Sequence, residues 1–182
     1  MLRPLYLLFF KVFGWKTKGE FPPALKKYII AVAPHTSNWD FLLGVAARSI
    51  LKIQKAKFLG KSPLFKPPFG WFFRMLGGYP VDRSKRHDMV EQVASLFNSH
   101  EDFVLAIAPE GTRKKVEKLK TGFYYIAQKA NVPIIPVGFD YKKKEIVIAK
   151  PIHLTESIDN DMALLLGFYR TITGKNPELG IS

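Results

Sequence analysis

Short runs of consecutive apolar residues alternate along this chain with longer segments whose apolar residues recur at helical spacing. Three of the runs, residues 28–33, 102–108 and 132–139, are continuous and rich in β-branched residues, which is typical of strands buried on both faces of a sheet. Weaker patterns predict further strands at residues 56–60, 78–81 and 145–150. We expect the last of these to run antiparallel, because the turn before it, DYKKK, is too short for a crossover connection.

The segments between these runs carry the helical spacing. It predicts helices at residues 39–54, 63–76, 86–99, 116–130 and 159–173. Strands and helices that alternate in this way predict an α/β fold with a mixed, largely parallel central sheet flanked by helices. In such a sheet, the chemistry gathers where strands end and loops begin.

The beginning of the chain has a different character. Residues 2–15 form an apolar stretch, interrupted by Arg3 and Lys11, that would make a helix about 20 Å long, shorter than the roughly 30 Å core of a bilayer. Its leucines, aromatic residues and flanking cations are typical of a helix that lies in a membrane interface, and an ordinary helix packed on the core is the alternative. We therefore predict an apolar N-terminal interfacial helix in a membrane-interface segment, residues 1–20, followed by a single α/β domain, residues 21–182.

Composition narrows the possible chemistry. The 182 residues include no cysteine, which excludes disulfides, thiolate catalysis and cysteine-ligated zinc. The histidines at positions 87, 100 and 153 have no metal-ligand spacing, so we expect no metal. The formal net charge of +13 favours an anionic partner, which can be an acidic lipid surface, an acidic protein or a nucleic acid.

The decapeptide VAPHTSNWDF, residues 32–41, places a histidine and an aspartate directly after a buried run. In one continuous helix, His35 and Asp40 would lie about 140° apart and could not touch easily. Since Ser37 and Asn38 are good capping residues, we expect the helix to begin there, with His35 on the loop before it. Asp40 can then hold the imidazole in one tautomer as a general base, and a histidine satisfied by backbone in a tight turn is the alternative.

A second polar cluster follows the strand predicted at residues 102–108. In PEGTR, residues 109–113, the glycine lets backbone N–H groups approach a ligand, and Arg113 can grip phosphate or carboxylate. Arg83 stands after the strand predicted at residues 78–81. Two strand-end arginines and a strand-end histidine favour a phosphorylated substrate that presents a hydroxyl.

Together these motifs resemble the four sequence blocks of the glycerolipid acyltransferases, the 1-acylglycerol-3-phosphate acyltransferase (PlsC-like) family. The first block corresponds to His35, four residues and Asp40. FGWFFRMLGGYPVDR resembles the second block, PEGTR the third and VPIIPV the fourth. The resemblance covers residues 28–140, and PEGTR is its most specific part.

The resemblance implies transfer of an acyl group from an acyl thioester, either acyl-CoA or acyl carrier protein, to the free hydroxyl of a lysophospholipid, most simply 1-acylglycerol-3-phosphate. It implies His35 as the general base and Asp40 as its orienting partner. The headgroup-binding residues that it implies are Lys61, Arg83, Glu110, Gly111, Thr112 and Arg113. Pro133 and Pro136 would shape the wall on the acyl side as structural residues, and no acyl-enzyme, metal or separate cofactor is implied.

The remaining expectations concern partners and location. We expect the protein on the cytoplasmic face of a membrane, peripheral or monotopic, in contact with anionic lipid and without nucleic acid. The apolar stretch at residues 64–81 predicts an acyl-chain groove or a second membrane contact, and a core helix is the alternative. Two other functions stay open: acyl transfer to another lysolipid, such as a lyso-aminolipid, and a non-enzymatic basic protein that coats membrane or binds nucleic acid.

Overall fold

The computed structural model describes residues 3–81 and 86–181 and has a seven-stranded sheet at its centre. The strands are β1 (Lys16–Lys18), β2 (Lys27–Val32), β3 (Ala56–Lys61), β4 (Gly78–Val81), β5 (Phe103–Ile107), β6 (Ile134–Asp140) and β7 (Glu145–Ile148). Their order across the sheet is β1-β7-β6-β2-β5-β3-β4. β7 runs antiparallel to β6, whereas the other neighbouring strands run parallel. The predicted largely parallel sheet with an antiparallel β7 is therefore confirmed.

The central strand β2 shows why the sheet is covered on both faces. Its side chains alternate, so that Tyr28 and Ile30 pack on one face while Ile29 and Ala31 pack on the other, and all four are buried. Ile29 also stands beside Leu105 of β5 in the parallel register. A strand that is apolar on both faces is stable only between two layers.

Helices supply these two layers. The described residues form α1 (Arg3–Phe13), α2 (Trp39–Ile50), α3 (Gly70–Met75), α4 (Arg86–Ser99), α5 (Gly122–Ala130) and α6 (Ile158–Tyr169). Phe10 of α1 and Leu43 of α2 join the core on one face of the sheet. Phe97, Phe123 and Tyr169, from α4, α5 and α6, join the core on the other face. Among the described helices, none has the length and apolar character that crossing a bilayer requires.

The helix predicted for residues 63–76 is not continuous. A 3₁₀ turn at Ser62–Phe65 is followed by α3, which begins only at Gly70. Pro67 and Pro68 lie between the two elements. A proline has no N–H to donate within a helix, and it disfavours helical backbone in the residue before it. The expectation of one helix was therefore wrong, because the proline pair outweighs the apolar spacing on both sides of it.

Other elements also differ from the sequence pattern, since α2 and α6 end at Ile50 and Tyr169, before the predicted ends at residues 54 and 173. The helix predicted for residues 116–130 begins at Gly122, because the chain before it folds back and the Lys120 N–H donates to the Pro109 carbonyl at 2.9 Å. β1 was not predicted, since its three polar residues show no apolar pattern. β1 pairs with β7 although it lies within residues 1–20, so the proposed membrane contact of that segment concerns α1.

Candidate active site

Four strands end at one edge of the sheet, and the residues around their ends form the candidate active site. Lys61 is the last residue of β3, and His35, Glu110 and Tyr141 follow β2, β5 and β6. Because β2, β3, β5 and β6 run in the same direction, their carboxyl ends meet at this edge. Residues far apart in the sequence are thereby brought together.

His35 and Asp40 are in direct contact. His35 lies on the loop between β2 and α2, and Asp40 lies in the first turn of α2, which begins at Trp39 after Asn38 as the N-cap. The distance from His35 Nδ1 to Asp40 Oδ2 is 3.0 Å. Because an ionised carboxylate only accepts hydrogen bonds, Nδ1 carries the proton and Nε2 is left as the basic nitrogen. The His35 side chain is 25% exposed, so the ring is accessible from solvent.

Asp40 is 3% exposed and accepts hydrogen bonds at both carboxylate oxygens. Its Oδ1 accepts from the Tyr141 hydroxyl at 2.7 Å, and its Oδ2 accepts from the Ser37 N–H at 2.9 Å in addition to His35. Burial by itself raises the pKa of Asp40, but these hydrogen bonds outweigh burial and hold the pKa below its ordinary value. Asp40 is therefore ionised at neutral pH.

The Glu110 side chain holds the His35 loop through a hydrogen bond to the loop backbone. Its Oε2 accepts the His35 N–H at 2.6 Å, and the residue is 1% exposed. Burial raises the pKa of Glu110, and the hydrogen bond from His35 offsets this only in part. This placement differs from the predicted headgroup contact, because a buried carboxylate presents no surface to a phosphate. Glu110 instead fixes the backbone of His35.

The rest of the PEGTR turn is more open. Gly111 has a φ of +66°, in the left-handed region that glycine adopts without the strain of a side chain. The Thr112 hydroxyl accepts the Lys114 N–H at 3.2 Å. Arg113 is exposed and lines the cavity beside His35. Of the three residues, Arg113 is the one that the structure places against that cavity.

This cavity lies between α2 and the sheet and has a volume of about 770 Å³. Its polar lining includes His35, Asp40, Lys61 and Arg113, four of the residues that the family resemblance implies for the site. Most of the remaining lining is apolar and includes Ile30, Val32, Leu42, Leu51, Phe58, Leu59, Leu76 and Phe139. The volume lies in the range of small-ligand sites. Arg83, predicted for the same site, lies outside the described residues.

Pro133 and Pro136, predicted to shape the acyl-side wall, lie elsewhere. Both are buried in the β6 region, where the Pro133 carbonyl accepts the Ile29 N–H at 3.0 Å and Pro136 stands beside Ala31. In the part of the chain that the structure describes, neither proline lines the cavity. Their contribution is to the packing of β6 against β2.

The segment after α6 holds the His35 loop from another side. The Asn176 N–H donates to the Thr36 hydroxyl at 3.1 Å, and the Asn176 side-chain amide donates to the Thr36 carbonyl at 2.8 Å. Lys175 Nζ lies 4.7 Å from the centre of the Trp39 ring, in a cation–π contact. The loop is therefore fixed by contacts from distant parts of the chain.

Sequence reasoning missed Tyr141 and Asn176. Tyr141 did carry a signal, because it comes within two residues of the strand predicted at residues 132–139, whose carboxyl end shares an edge with His35. Asn176 carried none, since it follows the last helix without a strand or motif to place it. Glu110 was predicted as a site residue, but its hydrogen bond with the His35 N–H was not.

The fold and this site define a class of protein. Residues 16–140 match the sequence model of the Acyltransferase family, and the chain belongs to that family.

Proteins similar to this chain include the 1-acyl-sn-glycerol-3-phosphate acyltransferases of Saccharomyces cerevisiae and Escherichia coli. The yeast protein is 35% identical over 130 residues, which cover 67% of this chain and 41% of the yeast protein. The Escherichia coli protein is 32% identical over 134 residues, which cover 69% of this chain and 53% of that protein. This chain thus spans about half the length of these relatives.

A solved structure shares the fold. The crystal structure of the 1-acyl-sn-glycerophosphate (LPA) acyltransferase, PlsC, from Thermotoga maritima superimposes with a TM-score of 0.58 at 18% identity. The match covers 93% of this chain and 76% of that one.

Proposed function

We propose that this protein is an O-acyltransferase that moves a fatty acyl group from acyl-CoA or acyl carrier protein to the free hydroxyl of 1-acylglycerol-3-phosphate, forming phosphatidate. The observation that carries the proposal is the 3.0 Å contact between His35 Nδ1 and Asp40 Oδ2 beside a largely apolar cavity. Family membership supports the reaction class, and the names of the relatives support the acceptor.

The proposed step needs a base and no covalent enzyme intermediate. His35 Nε2 takes the proton of the acceptor hydroxyl while the hydroxyl oxygen attacks the thioester carbonyl carbon. The new C–O bond forms, the C–S bond breaks, and the thiol leaves with the proton that Nε2 returns. The Asp40 carboxylate stabilises the imidazolium that exists between these transfers.

Positive charge beside the same cavity suits a phosphorylated acceptor. Lys61 and Arg113 are exposed and line the cavity together with His35. Arg113 can form two parallel hydrogen bonds to a phosphate, whereas Lys61 contributes a point charge. In the proposal these two cations hold the headgroup, with Arg83, Gly111 and Thr112 as the further headgroup residues that the family resemblance implies.

The apolar part of the cavity suits an acyl chain. Leu64, Phe73 and Leu76, from the apolar stretch at residues 64–81, line it together with residues of α2. Each methylene transferred from water to such a surface contributes about 0.8 kcal/mol. We propose that this cavity holds the fatty chain while the thioester lies next to His35.

A larger side chain in the cavity should shorten the chains that the enzyme accepts. Gly44 of α2 lines the cavity, and its Cβ would stand 3.8 Å from the Phe139 ring, so Gly44→Leu fits locally but projects into the open space. If three methylenes lose their place, kcat/KM for a palmitoyl thioester falls about 50-fold while that for a hexanoyl thioester changes little. Gly167→Leu is the matched control, because Gly167 is exposed on α6 and has open space around its Cβ. Equal losses with both thioesters would contradict the acyl role of the cavity.

The function is tested by a panel of lysolipids crossed with both donors. Purified protein is incubated with palmitoyl-CoA or palmitoyl acyl carrier protein and each lysolipid, and the products are identified by mass spectrometry. We expect phosphatidate from lysophosphatidate. If product forms only with a lyso-aminolipid, the acceptor is that lipid and not lysophosphatidate. No consumption of thioester in any mixture, together with tight and steeply salt-dependent binding of nucleic acid, would favour a basic binding protein instead.

We also propose that the protein lies on the cytoplasmic face of an anionic membrane, as a peripheral or monotopic protein. α1 buries Phe10 against the core but leaves Leu5, Leu8 and Val12 more than half exposed. The exposed lysines here are Lys11 on the helix, Lys16 and Lys18 in β1, and Lys144, whose side chain lies 3.7 Å from a Cβ placed on Gly14. An apolar helix face bordered by cations suits an anionic lipid surface.

A charge on the exposed face of α1 should weaken membrane binding. Leu8 is 57% exposed, so Leu8→Asp removes apolar area whose burial in the membrane would contribute about 1–2 kcal/mol, and it adds a charge that anionic lipid repels. We therefore expect at least a tenfold loss of affinity for vesicles of phosphatidylcholine and phosphatidylglycerol, measured by co-sedimentation. Leu164→Asp is the control, because Leu164 is 61% exposed on α6. Equal binding by the Leu8 variant and the parent would contradict the placement of α1 in the membrane.

A further inference from the structure

Tyr141 stands directly behind the His35–Asp40 pair. It follows β6, one residue beyond the stretch that matches the family model. Its hydroxyl donates a hydrogen bond of 2.7 Å to Asp40 Oδ1, the oxygen that His35 does not use. The Ser37 N–H and His35 share Oδ2. Each oxygen of the buried carboxylate therefore has its own donors, and Tyr141 alone serves Oδ1 among the described residues.

The Tyr141 ring is itself held in place. The Trp15 ring packs against it edge to face, with ring centres 5.1 Å apart and planes at 89°. The Tyr141 N–H donates to the Thr173 carbonyl at 2.9 Å, which fixes the backbone from the other side. Trp15, which precedes β2, and Thr173, which follows α6, thus hold Tyr141 with its hydroxyl pointing at Asp40.

The hydroxyl stays a donor at physiological pH. Burial, and then the hydrogen bond and charge of Asp40, raise the pKa of Tyr141 well above its ordinary value. The ionisable groups that shift the pKa of Asp40 are His35 and Tyr141, and the charge of Asp40 in turn raises the pKa of Glu110. In the proposed reaction His35 becomes charged when it takes the proton, whereas the Tyr141 hydroxyl stays neutral, so Tyr141 can orient the carboxylate without changing the net charge of the site.

We propose that Tyr141, braced by Trp15, is a positioning residue for the acyl transfer: it holds the Asp40 carboxylate in the rotamer that keeps Oδ2 on His35. This inference rests on the proposed function, because it assigns His35 as the base. Without the Tyr141 hydroxyl, the Asp40 side chain can rotate about its Cβ–Cγ bond, and the imidazole loses its fixed orientation and tautomer. Loss of the hydroxyl should therefore slow the chemical step and leave substrate binding unchanged, since Tyr141 is not among the described residues that line the cavity.

The test compares Tyr141→Phe with Tyr125→Phe, since Tyr125 is a half-exposed tyrosine on α5, away from the site. With lysophosphatidate and palmitoyl-CoA in detergent micelles, so that membrane docking does not enter, we expect kcat of Tyr141→Phe to fall about tenfold with both KM values within about twofold. We expect Tyr125→Phe to match the parent.

A second readout separates positioning from a loss of folding. The Tyr141 hydrogen bond is one of the contacts that lower the pKa of Asp40, so ¹³C NMR of the Asp40 carboxyl should show it titrating at higher pH in Tyr141→Phe and unchanged in Tyr125→Phe. A parental kcat in Tyr141→Phe, or an Asp40 titration that does not move, would overturn the proposal. A kcat loss matched by an equal change in KM would also overturn it.

A further variant covers the case in which Tyr141→Phe does not fold. Trp15→Leu removes the ring that braces Tyr141 and keeps the hydroxyl, and we expect a smaller fall in kcat, about threefold, with KM again unchanged. No change in kcat of Trp15→Leu would then overturn the inference. An inactive parent protein would instead refute the proposed function, and the Asp40 titration would still report whether Tyr141 holds the carboxylate.

Discussion

Replacing His35 by alanine should lower kcat for acyl transfer on the order of 10³-fold, because it removes the group proposed to take the proton of the acceptor hydroxyl. The KM values should change little, since the cations and the apolar lining of the cavity remain. Release of coenzyme A, followed with a thiol reagent, measures the effect.

The matched control for this variant is His153→Ala. His153 is exposed and lies outside the site, so this variant should match the parent in both kcat and KM. Because His35→Ala removes one of the hydrogen bonds to the buried Asp40 carboxylate, we expect a loss of stability on the order of 1 kcal/mol, which a thermal melt measures separately from kcat. Equal turnover by His35→Ala and the parent would remove His35 from the mechanism, even if the protein is an acyltransferase.

Asp40→Asn should lower kcat by about 10²-fold or more, although it changes the shape of the side chain very little. The carboxylate uses two acceptor oxygens, one for Tyr141 and one for Ser37 and His35. An asparagine amide has one oxygen, so an NH₂ group must face a donor on one side. If it faces His35, the imidazole proton moves to Nε2, where the base should be unprotonated.

The same substitution should destabilise the fold in a pH-dependent manner. A buried donor left without an acceptor costs about 1–3 kcal/mol. Because the pKa of Asp40 is lowered in the folded protein, its carboxylate contributes stability above the ordinary aspartate value of about 4, and this contribution is lost as the pH falls through the folded pKa. Thermal melts should therefore show a gap between parent and variant at pH 7 that narrows on acidification. A gap that does not depend on pH would mean that Asp40 acts by shape alone.

The sequence predicted the parts of the site that depend on local pattern. The apolar run before His35 predicted a buried strand, and the capping residues after it indicated that the helix begins beyond Ser37. A loop histidine can approach Asp40 only because of that break, and the contact of 3.0 Å follows from it. The PEGTR motif was placed at the correct strand end for the same reason. Arg113 and Lys61 line one cavity with His35 because parallel strands end together.

What could not be predicted depends on contacts between distant residues. Glu110 was expected to meet a phosphate, and only the three-dimensional packing shows that its carboxylate is consumed by the His35 N–H. Tyr141 and Asn176 are ordinary residues of a strand end and a tail until the fold places them against Asp40 and Thr36. The break at Pro67 and Pro68 is a different case, because it follows from the local chemistry of proline and the sequence already carried the signal.

The contacts that hold the His35 loop also determine at which stage of protein synthesis the site can form. Glu110 is made 75 residues after His35, Tyr141 101 residues after Asp40, and Asn176 140 residues after Thr36. A ribosome therefore releases the histidine and the aspartate long before any of their distant supports exist. We therefore expect that an incomplete chain cannot bind the acyl donor or the acceptor in a productive geometry. Acyl-transfer activity should therefore appear late, when the segment after α6 packs against the His35 loop of a domain whose sheet has already formed.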